Sequence, residues 1–426
     1  MSKREGIFVQ NELRKESNNT VHSLETLFLN TDSQNSTKIR WNTKRDLALL
    51  PFSSGTTGLP KGIMLSHHNF VSLLQILHQP SKFDFPAAGE HMVSALPFYH
   101  IYGSVMLFRS LEIGSTMWTM SKFQKELYLK IIQDNKVPVI FVVPPILNYL
   151  AKADEVKNYD LSCVRTCLSG AAPAGKQLVF ELESRHPNMH VLQDRLGLIG
   201  LRRAGYGMTE MSGVSHIMPK YTPKGQKRGS CGMLIPNYET KIVNDETGEE
   251  LGYNQVGEIC VKSQTCMLGY YNNEKATKDI YDKENFLHTG DLGYYDNEGY
   301  LYIVDRLKEL IKVRGFQVAP AELEDILLSH IGIKDAAVIG IPDATDCEIP
   351  KAFVVLKDDF KVDRAELINF VNCKEPSMLV KTKLIHYKHL KGGVEFVKEI
   401  PKSPSGKILR RLLRQSTTMS RESRDS

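Results

Sequence analysis

The chain contains few features of a secreted, membrane or nucleic-acid-binding protein. Its 426 residues include seven cysteines with no C-x-x-C pair, so we expect reduced structural thiols in an intracellular, cytoplasmic protein. No run of 18 apolar residues occurs, which predicts no transmembrane segment. The net charge of +5 is spread along the chain and predicts no nucleic-acid partner. The start, MSKREGIFVQNELRKE, lacks the apolar core of a signal peptide, and the last residues, SRDS, are not an S-K-L-type peroxisomal address.

Patterning along the chain predicts an α/β protein of two or three domains without internal repeats. Between residues 45 and about 300, short apolar runs such as VPVIFVVPP (137–145) alternate with amphipathic stretches, which favours largely parallel strand pairing. Over 230–304, short strands with D-x-T-G and N-x-G turns predict a β-rich subdomain. After Arg306 the pattern predicts a small α+β domain, and the Ser/Thr/Arg-rich segment 415–426 predicts a disordered tail.

The stretch SSGTTGLPKG (53–62) concentrates hydroxyl groups, glycines and one lysine. Glycines let a loop turn its N–H groups inward around an anion, and Lys61 adds a charge suited to a phosphate oxygen. The preceding DLALLPF predicts a short buried strand, and the following GIMLSHHNFVSLLQIL predicts a strand and then a helix capped near Ser66 or Asn69. Because Gly62 follows the lysine, this is not the P-loop pattern. A phosphate site and a flexible surface turn are both open interpretations of this stretch.

Further segments follow this loop in the chain: GYGMTE (205–210), FLHTGDLGYYDNEGYLYIVDRLKELIK (286–312), VRGFQVAPAELE (313–324) and PKSPSGKILRR (401–411). Together, and in this order, they resemble the adenylate-forming enzymes, which include acyl-CoA synthetases, 4-coumarate–CoA ligases and firefly luciferase. LPFYHIYG (96–103) and GFQVAPAELE look most like the 4-coumarate–CoA ligase and luciferase-like branch. The resemblance covers about residues 45 to 414.

The resemblance implies an α/β fold with a large N-terminal domain and a small, mobile α+β C-terminal domain. The large domain would have mixed, largely parallel sheets and a β-rich subdomain. The expected division is a lead-in segment (1–44), an ATP- and acyl-binding domain (45–304), a hinge (305–308), a C-terminal lid domain (309–414) and the tail (415–426).

The resemblance also implies an ATP-dependent reaction in two halves. A carboxylate attacks the α-phosphate of ATP to give an acyl-adenylate and pyrophosphate, and the thiol of coenzyme A then displaces AMP. The implied cofactors are ATP, Mg²⁺ and coenzyme A, and the implied partner is a small carboxylic acid, either aromatic and 4-coumarate-like or fatty. The pattern does not predict the oligomeric state.

Residues that match the family's nucleotide-binding positions come from separate segments. They are Ser53, Ser54, Gly55, Thr56, Thr57, Gly58 and Lys61 in the phosphate loop; Gly170, Ala171 and Ala172 in SGAAP; Gly205, Tyr206, Gly207 and Thr209 in GYGMTE; and Asp291, Arg306 and Gln317. By resemblance, Asp291 accepts both ribose hydroxyls, which suits a carboxylate with two oxygens. The alternative for Asp291 and Arg306 is an ordinary surface ion pair, and the alternative for Tyr206 is a core aromatic.

Glu210 resembles the family's Mg²⁺ ligand, with Thr209 beside it, because Mg²⁺ takes hard oxygen ligands. Without the motif, Glu210 would be read as a solvated glutamate. His100 and Tyr102 resemble residues that line the acyl pocket, and His100 could act on the reacting carboxylate. The alternative for His100 is a hydrogen-bonded core histidine.

Two lysines resemble residues that serve different half-reactions. Lys407 corresponds to the lysine that stabilises charge during adenylation, and Lys312 to one that serves thioester formation. Two lysines for two steps imply a rotation of the C-terminal domain between them. Arg314 and Gly315 occupy a position near the path of coenzyme A.

Three features depart from the family pattern. The phosphate loop begins at residue 53, whereas family members carry a further subdomain before it, on the order of 100 residues. DRLGLIGLRRA (194–204) separates VLQ from GYGMTE, and KEPSMLVKTKLIHYKHLKGG (374–393) is longer than the usual connection. We therefore expect an acid–thiol ligase that is truncated or divergent at its N-terminus. A luciferase-like oxidation of the adenylate and a catalytically impaired nucleotide-binding remnant are the alternatives.

Overall fold

The computed structural model describes residues 40–53, 60–78, 85–170, 176–194, 204–219, 227, 230–314, 316–343, 345–357, 360–373, 386–402 and 408–425. Residues 43–426 form one compact unit, to which all the elements below belong. No helix in these ranges is both long and apolar enough to cross a bilayer.

The β-strands are numbered in chain order. They are Leu47–Leu49 (β1), Phe52–Ser53 (β2), Lys61–Ser66 (β3), His91–Ser94 (β4), Thr116–Thr119 (β5), Val139–Val142 (β6), Thr166–Ser169 (β7), His190–Asp194 (β8), Ala204–Tyr206 (β9), His216–Ile217 (β10), Gly232–Leu234 (β11), Tyr238–Val243 (β12), Glu250–Leu251 (β13), Gly257–Ser263 (β14), Gly269–Tyr270 (β15), Leu287–Tyr295 (β16), Tyr300–Arg306 (β17), Ile311–Val313 (β18), Phe316–Val318 (β19), Ile333–Asp343 (β20), Cys347–Leu356 (β21) and Val394–Phe396 (β22).

The α-helices are numbered in the same way. They are His67–Leu77 (α1), Ile101–Ile113 (α2), Lys125–Asp134 (α3), Pro144–Lys152 (α4), Lys176–Arg185 (α5), Glu274–Ile280 (α6), Pro320–Leu328 (α7), Arg364–Cys373 (α8) and Arg410–Asp425 (α9). Short 3-10 helices lie at Asp154–Asn158, Thr209–Met211 and His386–Lys388.

The largest sheet changes from parallel to antiparallel within one layer. Its order is β13-β12-β14-β16-β17-β11-β10-β9-β8-β7-β6-β4-β5. All neighbours from β9 to β5 pair in parallel, and all neighbours from β9 to β13 pair antiparallel. The predicted parallel and β-rich regions are therefore both present, but they form two halves of one sheet that meet at β9.

The antiparallel half of this sheet is strongly curled. Tyr206 in β9 lies four strand steps from Asp291 in β16, yet Tyr206 Oη donates to Asp291 Oδ2 at 2.8 Å. Four steps across a flat sheet would span about 19 Å, which no tyrosine side chain bridges. His216 in β10 and Tyr295 in β16 are joined in the same way, with 2.6 Å between Nε2 and Oη. The curl brings side chains from distant strands into one buried interior.

The segment around the predicted phosphate loop forms a small sheet in which β1, β2 and β15 each pair with β3. The predicted strand and helix after the loop are confirmed. Ser66 caps α1, because its Oγ accepts from Asn69 N at 3.1 Å and Asn69 Oδ1 accepts from Ser66 N at 2.8 Å. The prediction of a buried strand in DLALLPF is wrong, because two short strands form there and Phe52 is 60% exposed.

The C-terminal region builds its own five-stranded sheet in the order β19-β18-β21-β20, with β22 parallel to β21. Helices α7 and α8 pack with this sheet around a separate apolar core. The prediction of a disordered tail from residue 415 is wrong for 415–425, which continue α9. Leu413 and Thr417 lie four residues apart on the same face of that helix and are both buried, and Thr417 Oγ1 donates to the Leu413 carbonyl at 2.9 Å.

Candidate active site

The carboxylate of Asp291 is the centre of the site. Asp291 in β16 lies opposite Arg306 in β17, and Arg306 Nε donates to Asp291 Oδ1 at 3.0 Å. Tyr206 Oη donates to the other oxygen, Oδ2, at 2.8 Å. Asp291 is 1% exposed, so this is not the solvated surface ion pair that was the alternative interpretation.

Further hydrogen bonds fix the backbone of Tyr206. Its carbonyl accepts from Ser215 N at 2.8 Å, and Ser215 Oγ lies 2.9 Å from His216 Nδ1. Complete burial lowers the pKa of His216 to about 3, so its ring is neutral and pairs with the Tyr295 hydroxyl. A Cβ on Gly207 would lie 1.9 Å from the Gly213 carbonyl oxygen, so only glycine fits directly after Tyr206. The orientation of Tyr206 is therefore fixed by the local backbone.

Glu210 and Lys61 contact the same tyrosine, Tyr270. Tyr270 Oη donates to Glu210 Oε1 at 3.0 Å, and the Lys61 ammonium stands 4.5 Å from the centroid of the Tyr270 ring. Burial and the Glu210 charge raise the pKa of Tyr270, so its hydroxyl keeps the proton that it donates. Glu210 is 6% exposed, and the alternative of a solvated glutamate is wrong.

The segment 264–270 connects the phosphate-loop region to the 209–212 turn. Asn69 Nδ2 donates to the carbonyls of Gln264 and Cys266 at 2.7 and 2.8 Å, and Met267 N donates to the Glu210 carbonyl at 2.8 Å. The strand β15 then pairs with β3, directly after the loop. This connection explains how Lys61 and Glu210, which are far apart in sequence, come to flank one tyrosine.

Of the two predicted acyl-pocket residues, Tyr102 lies at the carboxyl end of β7 and His100 lies at the start of α2. Tyr102 Oη donates to the Leu168 carbonyl at 2.9 Å, and a Cβ on Gly170 would lie 2.8 Å from the Tyr102 ring. Gly170 thus allows the ring to lie against the backbone, where a larger residue would displace it. His100 caps α2, since its Nδ1 accepts from Tyr102 N at 3.2 Å, and burial lowers its pKa.

The C-terminal candidates lie on the exposed β18–β19 hairpin. Lys312 is exposed, and its backbone N–H donates to Glu348 Oε2 at 2.8 Å. Arg314 forms an ion pair with Asp346 from a positive φ of 50°. Gln317 Nε2 lies 3.3 Å from Asp245 Oδ2, in the turn between β12 and β13. Asp245 is exposed and Glu348 is half-buried, whereas Asp346 is buried beneath the exposed Arg314 side chain.

A buried ionic cluster lies at the predicted hinge. Arg410 forms ion pairs with Glu309 and Glu324, and its Nη2 lies 2.7 Å from Glu324 Oε1. Asp305 accepts from Arg306 N at 2.7 Å and from Ala321 N, in the first turn of α7, at 3.3 Å. Burial raises the pKa of Asp305 to about 8, with the nearby glutamates adding to the effect and Arg410 opposing it.

The remaining predicted residues fall into two groups. Three are described: Ser53 pairs with Lys61 across the β2–β3 ladder, Gly205 precedes Tyr206 in β9, and Thr209 precedes Glu210. The others lie outside the described residues: Ser54, Gly55, Thr56, Thr57, Gly58, Ala171, Ala172, Gly315 and Lys407. For Lys407, the described flanks are joined by a bridge between Lys402 and Ile408.

Sequence reasoning missed Tyr270, Glu258 and Arg410. Tyr270 follows a glycine with a φ of +148° and precedes Asn273, which caps α6, so GYYNN was a cue for a special turn. Glu258 Oε1 accepts from the backbone N–H of Gly290, directly before Asp291, at 2.9 Å. Nothing in the spacing of these residues predicted such contacts, since they depend on how the strands pair.

Comparisons with known proteins identify the family of the chain. Residues 5–271 match the family model described as AMP-binding enzyme, and residues 322–407 match the AMP-binding enzyme C-terminal domain. The probable 4-coumarate–CoA ligase 1 of Dictyostelium discoideum is 41% identical over 405 residues, which are 95% of this chain and 69% of that protein. The 4-coumarate:CoA ligase 1 of Petunia hybrida is 43% identical over 373 residues, 87% of this chain and 65% of that protein.

Solved structures give the same result. ATP-bound MatB from Rhodopseudomonas palustris superposes with a TM-score of 0.76 at 27% identity, covering 89% of this chain and 69% of that one. The o-succinylbenzoate CoA synthetase MenE from Bacillus subtilis, in complex with its acyl-adenylate intermediate OSB-AMP, gives 0.71 at 30% identity, with coverage of 85% and 68%. The predicted fold class is confirmed, as is the enzyme class of acid–thiol ligases at the level of the family. The chain belongs to the AMP-binding, adenylate-forming enzyme family.

Proposed function

We propose that this protein activates a carboxylic acid with ATP and transfers the acyl group to coenzyme A. The observation that carries the proposal is the buried Asp291 carboxylate, fixed by Tyr206 and Arg306. Tyr206 lies four residues before Glu210, which contacts Tyr270 beneath the Lys61 ammonium. An ionised carboxylate offers about four acceptor sites on its two oxygens, so Asp291 can accept from ribose hydroxyls as well as from protein donors. Asp291 would thereby hold the cis-diol of the nucleotide in a fixed position.

The first half-reaction forms a bond between the acid's carboxylate oxygen and the α-phosphorus of ATP, while the bond to pyrophosphate breaks. Lys61 and the hydroxyls and N–H groups of 53–58 would stabilise the negative charge of the leaving pyrophosphate. Tyr206, in contact with Asp291, and Gly170 would flank the base. Tyr102 and His100 would line the acyl side, because Tyr102 lies against Gly170 at the end of β7.

The donor chemistry of Glu210 fits Mg²⁺. Glu210 is a buried carboxylate oxygen donor, and Thr209 beside it offers a hydroxyl. Bound there, Mg²⁺ would neutralise phosphate charge. Tyr270 would keep the Glu210 carboxylate oriented through its hydrogen bond, and Met267 N would hold the backbone of the same residue.

In the second half-reaction the thiolate of coenzyme A attacks the acyl carbon, the carbon–oxygen bond to AMP breaks, and AMP leaves. We assign Lys312, Arg314 and Gly315 to this step, and Lys407 and Gln317 to the nucleotide side in the alternative orientation of the lid. The proposed lid comprises 309–414 and turns about the hinge at 305–308. The exposure of the Lys312, Arg314 and Gln317 side chains supports this assignment, because they are accessible to a second substrate.

The acid is proposed to be a 4-coumarate-like aromatic acid, in line with the names of the relatives at 41–43% identity, and fatty acids are the second class to be tested. The test follows pyrophosphate release with ATP, Mg²⁺ and a panel of cinnamic and fatty acids, with and without coenzyme A. Acid-dependent release, with acyl-CoA formed only when coenzyme A is present, is the expected result. Folded protein that binds ATP but releases no pyrophosphate with any acid would contradict the proposal and favour a nucleotide-binding remnant.

A further inference from the structure

A group of three potential metal ligands lies on the neighbouring strands β14 and β16. Glu258 and Cys260 are two residues apart on β14, so their side chains lie on one face, and Cys260 is paired directly with His288 on β16. Cys260 Sγ lies 3.6 Å from His288 Nδ1, and His288 Nδ1 lies 2.7 Å from Glu258 Oε2. Among the side chains that the structure describes, this is the one group of three such ligand atoms that all lie within 4.8 Å of one another.

These separations suit a small tetrahedral ion. For zinc, bond lengths of about 2.3 Å to sulfur and about 2.0–2.1 Å to nitrogen place the two ligand atoms roughly 3.6 Å apart. The observed distance between Cys260 Sγ and His288 Nδ1 is 3.6 Å. The nitrogen and the Glu258 oxygen now share a hydrogen bond and would need to separate by about 0.6 Å, which a rotation of the glutamate side chain supplies. Thiolate and imidazole together select zinc-like ions over Mg²⁺.

The charges around the group are compatible with a cation. Lys241 on β12 lies directly opposite Cys260, but its ammonium is held by Asp282 at 2.8 Å and Glu284 at 2.6 Å. Its charge is therefore compensated before any ion binds. The Cys260 side chain is fully buried, whereas His288 is 32% exposed, so an ion can enter from the histidine side and keep a water as its fourth ligand.

The group adjoins the strand segment that carries Asp291. The β14–β16 pairing shifts between Glu258 and Cys260, so the residues between His288 and Leu292 form a bulge. Within this bulge, Gly290 donates its N–H to Glu258 Oε1 at 2.9 Å, and Asp291 follows directly. One glutamate therefore contacts both the group of ligands and the backbone next to the proposed ribose carboxylate.

We propose that Glu258, Cys260 and His288 form a binding site for a zinc-like divalent ion, separate from the Mg²⁺ position at Glu210. Binding would replace the thiol proton of Cys260 and the proton shared between His288 and Glu258. Burial beside Glu258 raises the pKa of the Cys260 thiol to about 12, so the thiol is protonated before the ion binds and its proton is released on binding.

The test titrates the metal-free 426-residue chain with Co²⁺ in the absence of nucleotide and records the thiolate-to-metal charge-transfer absorption, with displacement by Zn²⁺. Wild-type protein should bind one Co²⁺ with this absorption. Cys260→Ser should lose the absorption, and His288→Gln should weaken Zn²⁺ binding by more than about 100-fold, since even residues behind the ligands are worth about 10–100-fold. Cys347→Ser, at an exposed free thiol, is the matched control and should behave as wild type.

The proposal would be overturned if wild-type protein showed no thiolate absorption, or if Cys260→Ser and His288→Gln both bound Zn²⁺ as tightly as the control. Circular dichroism checks that each variant is folded. If Cys260→Ser does not fold, the Zn²⁺ affinities of His288→Gln and Glu258→Gln still show whether these residues bind the ion, because His288 is partly exposed and its variant is expected to fold. Because binding is read without ATP or acid, the result does not depend on whether the proposed ligase activity is present.

Discussion

The buried Asp291 centre and the exposed 311–317 hairpin carry predicted site residues in opposite surroundings. Asp291 and Tyr206 are at most 1% exposed and hold each other in place, with Arg306 on the remaining oxygen. Lys312 and Gln317 are exposed and contact surface carboxylates of Glu348 and Asp245 through one hydrogen bond each. The first group is already arranged for binding, whereas the second can exchange its contacts at little cost.

This difference suggests a division of labour. A rigid centre can orient a nucleotide before reaction, which gains rate through positioning. An exposed hairpin on a separate sheet suits groups that approach for one step and withdraw for another. The cluster of Arg410, Glu309, Glu324 and Asp305 joins the two regions, because Asp305 lies in β17 beside Arg306 and accepts from Ala321 in α7.

The largest effect is expected for Arg410→Met. This change leaves the buried carboxylates of Glu309 and Glu324 without their cation, which should cost about 3–5 kcal/mol of unfolding free energy. Urea unfolding measures it. Arg411→Met is the matched control, because Arg411 is the exposed neighbour, and it should change stability by less than about 0.5 kcal/mol. Equal unfolding free energies of the two variants would show that the ion pairs of Arg410 do not stabilise the folded protein.

The two lysines should separate the half-reactions. Lys407→Ala should reduce acyl-adenylate formation by about 10²–10³-fold while leaving thioester formation from supplied acyl-adenylate intact, because it removes one charge that stabilises the first transition state. Lys312→Ala should do the reverse. Pyrophosphate release and acyl-CoA formation are measured separately. Loss of the same half-reaction in both variants would refute the two-lysine assignment.

Asp305→Asn should flatten the dependence of stability on pH. The folded-state pKa of Asp305 is about 8, above its usual value near 4, so the folded protein binds the proton more tightly than the unfolded chain. Its contribution to stability is therefore complete at low pH and is lost as pH rises to about 8, with a slope of at most about 1.4 kcal/mol per pH unit. Urea unfolding at several values between pH 5 and 8.5 measures this slope. An identical slope in the variant would rule out Asp305 as its source.

The smallest effect is expected for Gln317→Ala. Its contact with Asp245 is exposed and 3.3 Å long, so stability should fall by less than about 1 kcal/mol. If the proposed lid uses Gln317 near the nucleotide, the KM for ATP should also rise, by more than this small loss of stability can explain. Asp245→Ala removes the same surface contact from the other side and should leave that KM as in wild type. A rise in both variants would assign the effect to the surface contact.

The sequence was sufficient for local elements and family motifs. Ser66 and Asn69 predicted the start of α1, and apolar runs predicted the parallel strands, because capping and side-chain periodicity are local properties. The motif GYGMTE predicted Tyr206 and Glu210 as site residues. In the structure Tyr206 contacts the predicted Asp291, and Glu210 and the predicted Lys61 contact the same tyrosine, Tyr270.

What depends on long-range geometry was not predictable. Tyr270 joins Lys61 to Glu210 only because β15 pairs with β3, and Arg410 meets Glu309 across 101 residues of sequence. The curl that brings Tyr206 to Asp291 arises from the pairing of the whole antiparallel half-sheet. The helix over 415–425 was missed because a polar composition concealed one buried stripe, marked by Leu413 and Thr417.

The central claim is that the Asp291 carboxylate binds the ribose diol of the nucleotide, and its most direct test compares nucleotides with and without the 2′-hydroxyl. Calorimetry would compare AMP with 2′-deoxy-AMP as ligands of the wild-type protein and of Asp291→Asn, with Asp279→Asn as the control at an exposed carboxylate. Wild type and control should bind AMP more tightly by about 10-fold or more, since a hydrogen bond to a charged group is worth about 1.5–3 kcal/mol. Asp291→Asn should lose most of that preference. The same preference in all three proteins would contradict the assignment of Asp291 as the nucleotide-binding centre.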